Sequence, residues 1–452
     1  LGEGIFSCIY IFVSLLTPNL VWGATTPPPT PMSAIKGEVI IKPAYIWTLE
    51  EVLKIAENQN PDLKAAKSSF NAAERAILGA MSGYLPHIDI KGGFQQTMLP
   101  DPSAGLTTEL GTLLPYTSIV GRVRQMIFDF GKVINDIGAA RARSHSAEHE
   151  MEIVHDAVQL AAQKGFYNAL AAQKLVEVAQ AGVTQFEETL RRTAALVKAG
   201  TRPSFDLAQA NVELSQAKLS LVEAINARDV AHVSLLTLLG MQKQVPFQLK
   251  DSGASENIDV SKIDLDQLSN RAIANRPEMK KSAYDLEKVR MQTNSAIKDY
   301  FPTISLEGWY GKYLPNYPTS IADSYGGGIV LSWSILDGLY TTSRVGELKA
   351  QMHVEEDRLE KQREEIIAEV AQSFADLKKA ASNLALMNDN LVFAKENARL
   401  AKRRYESSVA TFLELLVAQT TLLNAQAVAV QSRYQYETAY SSLKYAVRGP
   451  LF

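Results

Sequence analysis

The sequence predicts a mainly helical chain built from two copies of one unit, each copy carrying a pair of strands of membrane-barrel type. Three observations predict it. Landmarks recur at an interval near 210 residues, apolar residues keep a 3-4 spacing over many heptads, and between the heptad regions the period changes to two. The chain has 452 residues, one Cys and a net charge of −3 at pH 7. That balance excludes the basic face of a dedicated nucleic-acid binder, so no nucleic-acid partner is expected. One Cys excludes a disulfide framework and a cysteine metal cluster. No internal stretch has 18 uninterrupted apolar residues, which argues against membrane-crossing helices. A transmembrane β-barrel escapes that test because its strands alternate.

The first 24 residues read as an export signal. Ile5 to Leu16 is apolar but too short to span a bilayer, and Val21 to Ala24 supplies small residues for cleavage. The run lacks a basic flank and opens on Leu, so its start reads as truncated. Cys8 lies inside it and should leave with it; lipidation there is disfavoured because only seven residues precede it. A Pro-rich flexible linker follows over 25–46. The first repeat is expected at 47–240, an equatorial connector at 241–265, the second repeat at 266–447 and a short tail at 448–452.

The repeat is read from ordered landmarks. Asn60-Pro61 pairs with Arg276-Pro277, and Tyr84-Leu85-Pro86 with Tyr300-Phe301-Pro302, both at an offset of 216. Gly131 pairs with Gly338 at 207, and Phe205-Asp206-Leu207 with Leu413-Glu414-Leu415 at 208. The difference falls between Phe94 and Tyr116, where the first copy has the longer loop. Each copy reads helix, hairpin, very long helix, turn, helix. Thr48 and Glu51 form a capping-box start. Expected helices run from 61 to 84, 135 to 199, 204 to 240 and 277 to 300. At 1.5 Å per residue the long helix measures about 98 Å, close to the two shorter ones placed end to end.

The long helices carry coiled-coil seams: Val158, Ala162, Ala169, Val183, Phe186 and Leu190 in the first copy, Val370, Leu377, Leu384, Leu391, Ala398 and Tyr405 in the second. Heptads alone favour an ordinary coiled-coil rod. The strands decide against it. Ile119, Val123 and Ile127 share one face while Arg122 and Arg124 take the other; Tyr325, Ile329, Leu331, Trp333 and Ile335 alternate with Gly and Ser. Ile304, Leu306 and Tyr310 form a third apolar set, and Ile88, Ile90 and Phe94 a weaker fourth. One apolar and one polar face over about ten residues is what outer-membrane strands require. Four strands cannot close a membrane barrel, whose smallest bacterial form needs about eight, so the chain is expected to oligomerise. Three chains supply twelve.

This ordered set of landmarks, over roughly Trp47 to Tyr445, resembles the TolC-family outer membrane efflux proteins. The doubled layout, the Asp129-Phe130-Gly131 and Leu336-Asp337-Gly338 strand exits, and Ala199-Gly200-Thr201 at the first tip carry the resemblance. It implies a homotrimer with a 12-stranded barrel in outer-membrane lipid and a long periplasmic helical tunnel. It also implies a periplasmic adaptor and an inner-membrane pump of RND or ABC type as partners. The function expected is a passive export duct, in efflux or type I secretion. The alternative from another class is a periplasmic coiled-coil adaptor or scaffold, which the duplicated hairpins with lipid-type alternation disfavour.

No nucleophilic triad, phosphate loop or dinucleotide fingerprint stands out, and neither enzymatic activity nor a cofactor is expected. His145-Ser146-Ala147-Glu148-His149 fits a zinc-peptidase pattern, but histidines four apart on a long solvated helix are more simply a surface pair. The helix turns are the better candidates. The resemblance places adaptor docking at the tips, Gly200, Thr201, Val409 and Ala410, and a channel aperture just above them, at Asp206 and Glu414. These two acids also suit a helix N-terminus on dipole grounds alone. Some relatives carry Arg where Ala410 stands and a second acid where Val417 stands; this chain lacks both. Without them, relief of repulsion by bound cations or by partial protonation is expected in place of a salt bridge.

Overall fold

The computed structural model describes residues 45–99, 112–241, 247–251, 264–315 and 322–449. The export signal, Cys8, nearly all of the linker, the first-copy loop at 100–111, much of the connector and the last three residues lie outside them.

The first copy opens with strand β1 (Tyr45–Trp47) and helix α1 (Leu49–Gln59). The predicted capping box is formed: Glu51 N–H donates to Thr48 Oγ1 and Thr48 N–H donates to the Glu51 carboxylate at 2.9 Å. Asn60 then ends α1 and caps α2 (Pro61–Met81), accepting from the N–H groups of Asp62 and Leu63 at 2.8 and 3.1 Å. A 3₁₀ turn, Ser82–Tyr84, leads into strands β2 (His87–Leu99) and β3 (Thr112–Phe128). Helix α3 (Lys132–Lys198) and helix α4 (Ser204–Leu238) complete the copy, and β4 (Phe247–Leu249) follows.

The second copy repeats the order: α5 (Leu265–Asn275), α6 (Pro277–Lys298), β5 (Thr303–Pro315), β6 (Ala322–Ser332), α7 (Tyr340–Glu406) and α8 (Phe412–Val447). Helices α3 and α7 have the same length, 67 residues, about 100 Å. Their starts are 208 residues apart. The glycine pairing of Gly131 with Gly338 is therefore off by one. Each joint is a two-residue left-handed turn, Phe130-Gly131 in one copy and Gly338-Leu339 in the other, and the glycine takes the second place in the first and the first place in the second.

The sheet runs β2-β3-β5-β6, all antiparallel, so the two hairpins join through β3 and β5. Next to it, α3 packs between α2 and α6, and α6 against α7. At the far end the neighbours are α4-α3-α8-α7. Three tiers thus share one order, and the two long helices run through both helical tiers. The short helices do stack end to end: Asn60 Nδ2 donates to the Leu238 carbonyl at 2.9 Å, and Gly240, at φ +74°, lies against the Gln59 carbonyl where a Cβ would come within 2.8 Å.

None of the seam positions named above is exposed, and Val370, Leu377, Ala169 and Ala162 are fully buried. At an apolar yield of about 25 cal/mol per Å², this contact between helices is what holds such long elements straight. Around the middle of α3, β1 pairs with β4, and Gln173 mimics a strand edge by accepting from Leu249 N–H and donating to its carbonyl, both at 3.1 Å. Trp47, Phe247 and His232 stack there, with ring centroids 4.3 and 4.4 Å apart.

The sheet has the two predicted faces. Register places Ile88, Val123 and Ile119 with Leu306, Tyr310, Tyr325, Ile329 and Leu331 on one side, every one of them exposed. His87, Asp89, Lys91, Arg122, Arg124 and Glu307 share the other. Trp333 and Ile335, expected in the last strand, lie beyond it: β6 stops at Ser332, and the Trp333 ring N–H donates to the Tyr300 carbonyl at 3.1 Å. The side chain ties down the joint, and alternation continued past the strand for that reason.

Candidate functional site

Each long helix ends in the same way. Gly200 (φ +71°) and Ser408 (φ +60°) take the left-handed position. Thr201 N–H then donates to the Leu196 carbonyl at 3.0 Å, and Val409 N–H to the Arg404 carbonyl at 2.8 Å. These are Schellman closures, which satisfy the last helical carbonyls and reverse the chain at once. Gly200, Thr201 and Val409 are exposed at the turns. Ala410 is not: it is 3% exposed, and its carbonyl accepts from Arg202. Its side chain offers no docking surface, because the second turn folds inward one residue after Val409.

Asp206 and Glu414 occupy the same place, the third residue of α4 and of α8. Their surroundings differ. Glu414 completes a capping box with Thr411, accepting from its N–H at 3.4 Å while Glu414 N–H donates to Thr411 Oγ1 at 3.2 Å. It is exposed and lies 3.4 Å from the Arg404 guanidinium. A salt bridge thus reaches Glu414 from the last turn of α7. The N-cap of α4 is Pro203, which has no side chain to cap with, and Asp206 is 8% exposed. The structure therefore assigns Glu414 a structural part as a helix cap, and leaves Asp206 as the buried acid at the tip.

Sequence reasoning missed Arg202. It leaves the first turn and reaches the second hairpin, donating to the Tyr405 and Ala410 carbonyls at 3.2 and 3.0 Å with its guanidinium 4.5 Å from the Tyr405 ring centroid. Tyr405, Phe412, Leu415 and Ala210 form the small core beneath it. Only its position beside the turn marks it in the sequence, and nothing local says that its partners lie more than 200 residues on.

The histidine pattern resolves simply. His145 and His149 lie against the Tyr284 ring of α6, with centroids 5.0 and 5.6 Å apart, and their neighbours Glu148 and Glu152 stand 3.3 and 3.6 Å away. No group of three metal-ligating side chains occurs among the described residues. The same seam holds Asp285, half-buried, between Lys281 and Lys288, at 3.1 and 2.8 Å, with Ser146 of α3 donating to it at 3.0 Å. Burial opposes its ionisation, but the two lysines outweigh it and hold the carboxyl below the usual range.

A family model described as outer membrane efflux protein matches residues 52–241 and 268–447. The toluene efflux pump outer membrane protein TtgC of Pseudomonas putida is 21% identical, over 89% of this chain and 83% of its own length. Nodulation protein T of Rhizobium leguminosarum bv. trifolii is 23% identical, over 96% of both chains. Among solved structures, the outer-membrane channel OprN superposes with a TM-score of 0.75 at 19% identity, covering 89% of this chain and 90% of the channel.

Proposed function

We propose that this chain, which belongs to the outer membrane efflux protein family, is the outer-membrane duct of a tripartite export system. It would conduct passively, receiving its cargo from a periplasmic adaptor and an inner-membrane pump. The observation that carries the reading is the continuity of one lateral order through three tiers, from an apolar-faced sheet to two paired helix tips. Strands β2 and β6 each lack a neighbour on one side among the described residues, and an open edge is costly in lipid. Three chains joined edge to edge would close a twelve-stranded wall, with the helical tiers continuing it into the periplasm. The mature chain would keep the two-repeat division, 47–240 and 266–447, with the connector at its equator.

At the tips, Gly200, Thr201 and Val409 are the surface proposed to meet the adaptor, with Ala410 as buried support. Asp206 is proposed to contribute most to an acidic aperture, since Glu414 has Arg404 beside it. The test is export by a Gly200→Glu, Val409→Glu double variant. Loss of export with trimer assembly intact is expected; normal export would reject the docking surface. For the aperture, planar-bilayer currents should show a cation preference that Asp206→Asn reduces more than Glu414→Gln. Unchanged selectivity in both variants would leave the two acids as helix-end charges.

A further inference from the structure

We infer that the polar face of the sheet, beside the joints to α3 and α6, binds aromatic organic anions. The inference rests on the export-duct reading, which makes this face the wall of the lumen. Register sets the site. Asp89, Arg122, Trp309 and Gly326 stand in one row across the four strands. His87, Arg124, Glu307 and Gly328 form the next row on the same face. His87, Asp89, Arg122, Arg124, Glu307 and Trp309 of these rows line a recess of about 700 Å³ that also includes Lys91.

Two features give the recess its chemistry. The first is a flat aromatic shelf. A Cβ on Gly326 would lie 2.4 Å from Trp309 Cζ2 and 2.7 Å from Cη2, so the indole lies flat against the backbone of β6. Gly326 to Gly328 project no side chains over it, and Trp309 stays 44% exposed. The second is unspent positive charge beside that shelf. Glu307 is engaged by Arg124 at 2.8 Å. Arg122, paired in register with Trp309, and Lys91 make no ion pair among the described residues; nor does Asp89. The face carries three cations, Lys91, Arg122 and Arg124, against two carboxylates.

An aromatic ring stacks on an indole whatever its charge. A sulfonate or carboxylate on that ring then meets a planar guanidinium able to bond it twice. An aromatic cation would meet Arg122 and Lys91 as like charges, which selects for the anion. Strands ordinarily line a water-filled lumen with scattered charges. A glycine run clearing space over a tryptophan, next to an unpaired arginine, is more specific than that.

The test uses the full-length protein in planar bilayers, with 2-naphthalenesulfonate as probe and methanesulfonate and 2-naphthylmethylammonium as controls. The aromatic sulfonate should reduce the open-channel current at concentrations where neither control does. Arg122→Gln should weaken that block about tenfold, and Trp309→Leu by a similar factor. Arg122 is exposed, so its variant tests the site even if Trp309→Leu does not assemble. Equal block in wild type and Arg122→Gln, or equal block by the ammonium probe, would overturn the site while the duct stands. Absence of any channel would overturn both.

Discussion

The two copies share a backbone and differ in what their side chains do with it. At the first strand–helix joint, Asp129 is buried and accepts from the Tyr84 hydroxyl at 2.8 Å and from the N–H groups of Gly131 and Val133 at 2.9 and 2.7 Å. At the second, Asp337 is exposed and serves only its own helix, accepting from Thr341 N–H at 2.9 Å and from its hydroxyl. The equivalent tyrosine, Tyr300, bonds Thr342 instead. At the tips, the first copy has glycine at the left-handed turn and a buried acid; the second has Ser408 and an exposed, capped acid. The first copy is locked from within at its joint and lends Arg202 to its sibling at its tip. Equivalence of fold has therefore not kept equivalence of role, and function at these sites must be argued copy by copy.

The largest expected effect tests the joints. Asp129→Ala leaves three half-buried donors without their acceptor and should cost about 3 kcal/mol by denaturant titration in detergent. Asp337→Ala should cost much less, and equal losses would erase the difference between the joints. Arg202→Ala should destabilise the tip by about 1.5 kcal/mol, read as faster hydrogen exchange in 405–411. No change there would mean that the first tip does not brace the second. At the turns, Gly200→Ser should destabilise and Ser408→Gly stabilise, each by about 1 kcal/mol, since the left-handed region penalises a Cβ. A destabilised Ser408→Gly would show that the serine has a further task.

The smallest effect concerns the belt that the β1–β4 pair and the stacked Trp47, Phe247 and His232 form around the middle of α3. Burial pushes His232 below its ordinary 6.5, Arg228 adding to this and Asp229 opposing it. The unfolded chain then binds the proton more readily, so belt stability falls as pH drops through that value. Exchange of β1, corrected for intrinsic rate, should quicken between about pH 7.5 and about pH 5.5 in the wild type and not in His232→Phe. A pH response surviving in His232→Phe would assign the titration elsewhere.

Local patterns gave the helices, the capping boxes and the alternating strands, because each depends on neighbours within a few residues. The helix from Lys132 begins three residues earlier than the expected start at 135, its first turn held by the Asp129 carboxylate, which accepts from Val133 N–H. What stayed hidden depends on distant chain. Pairing of β3 with β5, the reach of Arg202 and the burial of Ala410 are set by contacts between copies. Left-handed Phe130, Leu339 and Ser408 carry no glycine to announce them, and the one-residue slip in matching the copies came from following the glycine alone.

The joints also differ in slack. Three residues separate β3 from α3, and seven separate β6 from α7. A bilayer of altered thickness changes the tilt of the strands it encloses. At the short joint, clamped by Asp129, the helix must follow; at the long joint the chain can absorb the change. A thinner or thicker membrane would thus slide one long helix along the other, like unequal tendons on one bone. In the proposed duct, the lipid composition of the outer membrane would become a mechanical input to the distant tips, measurable as tip exchange rates that vary with acyl-chain length in reconstituted vesicles.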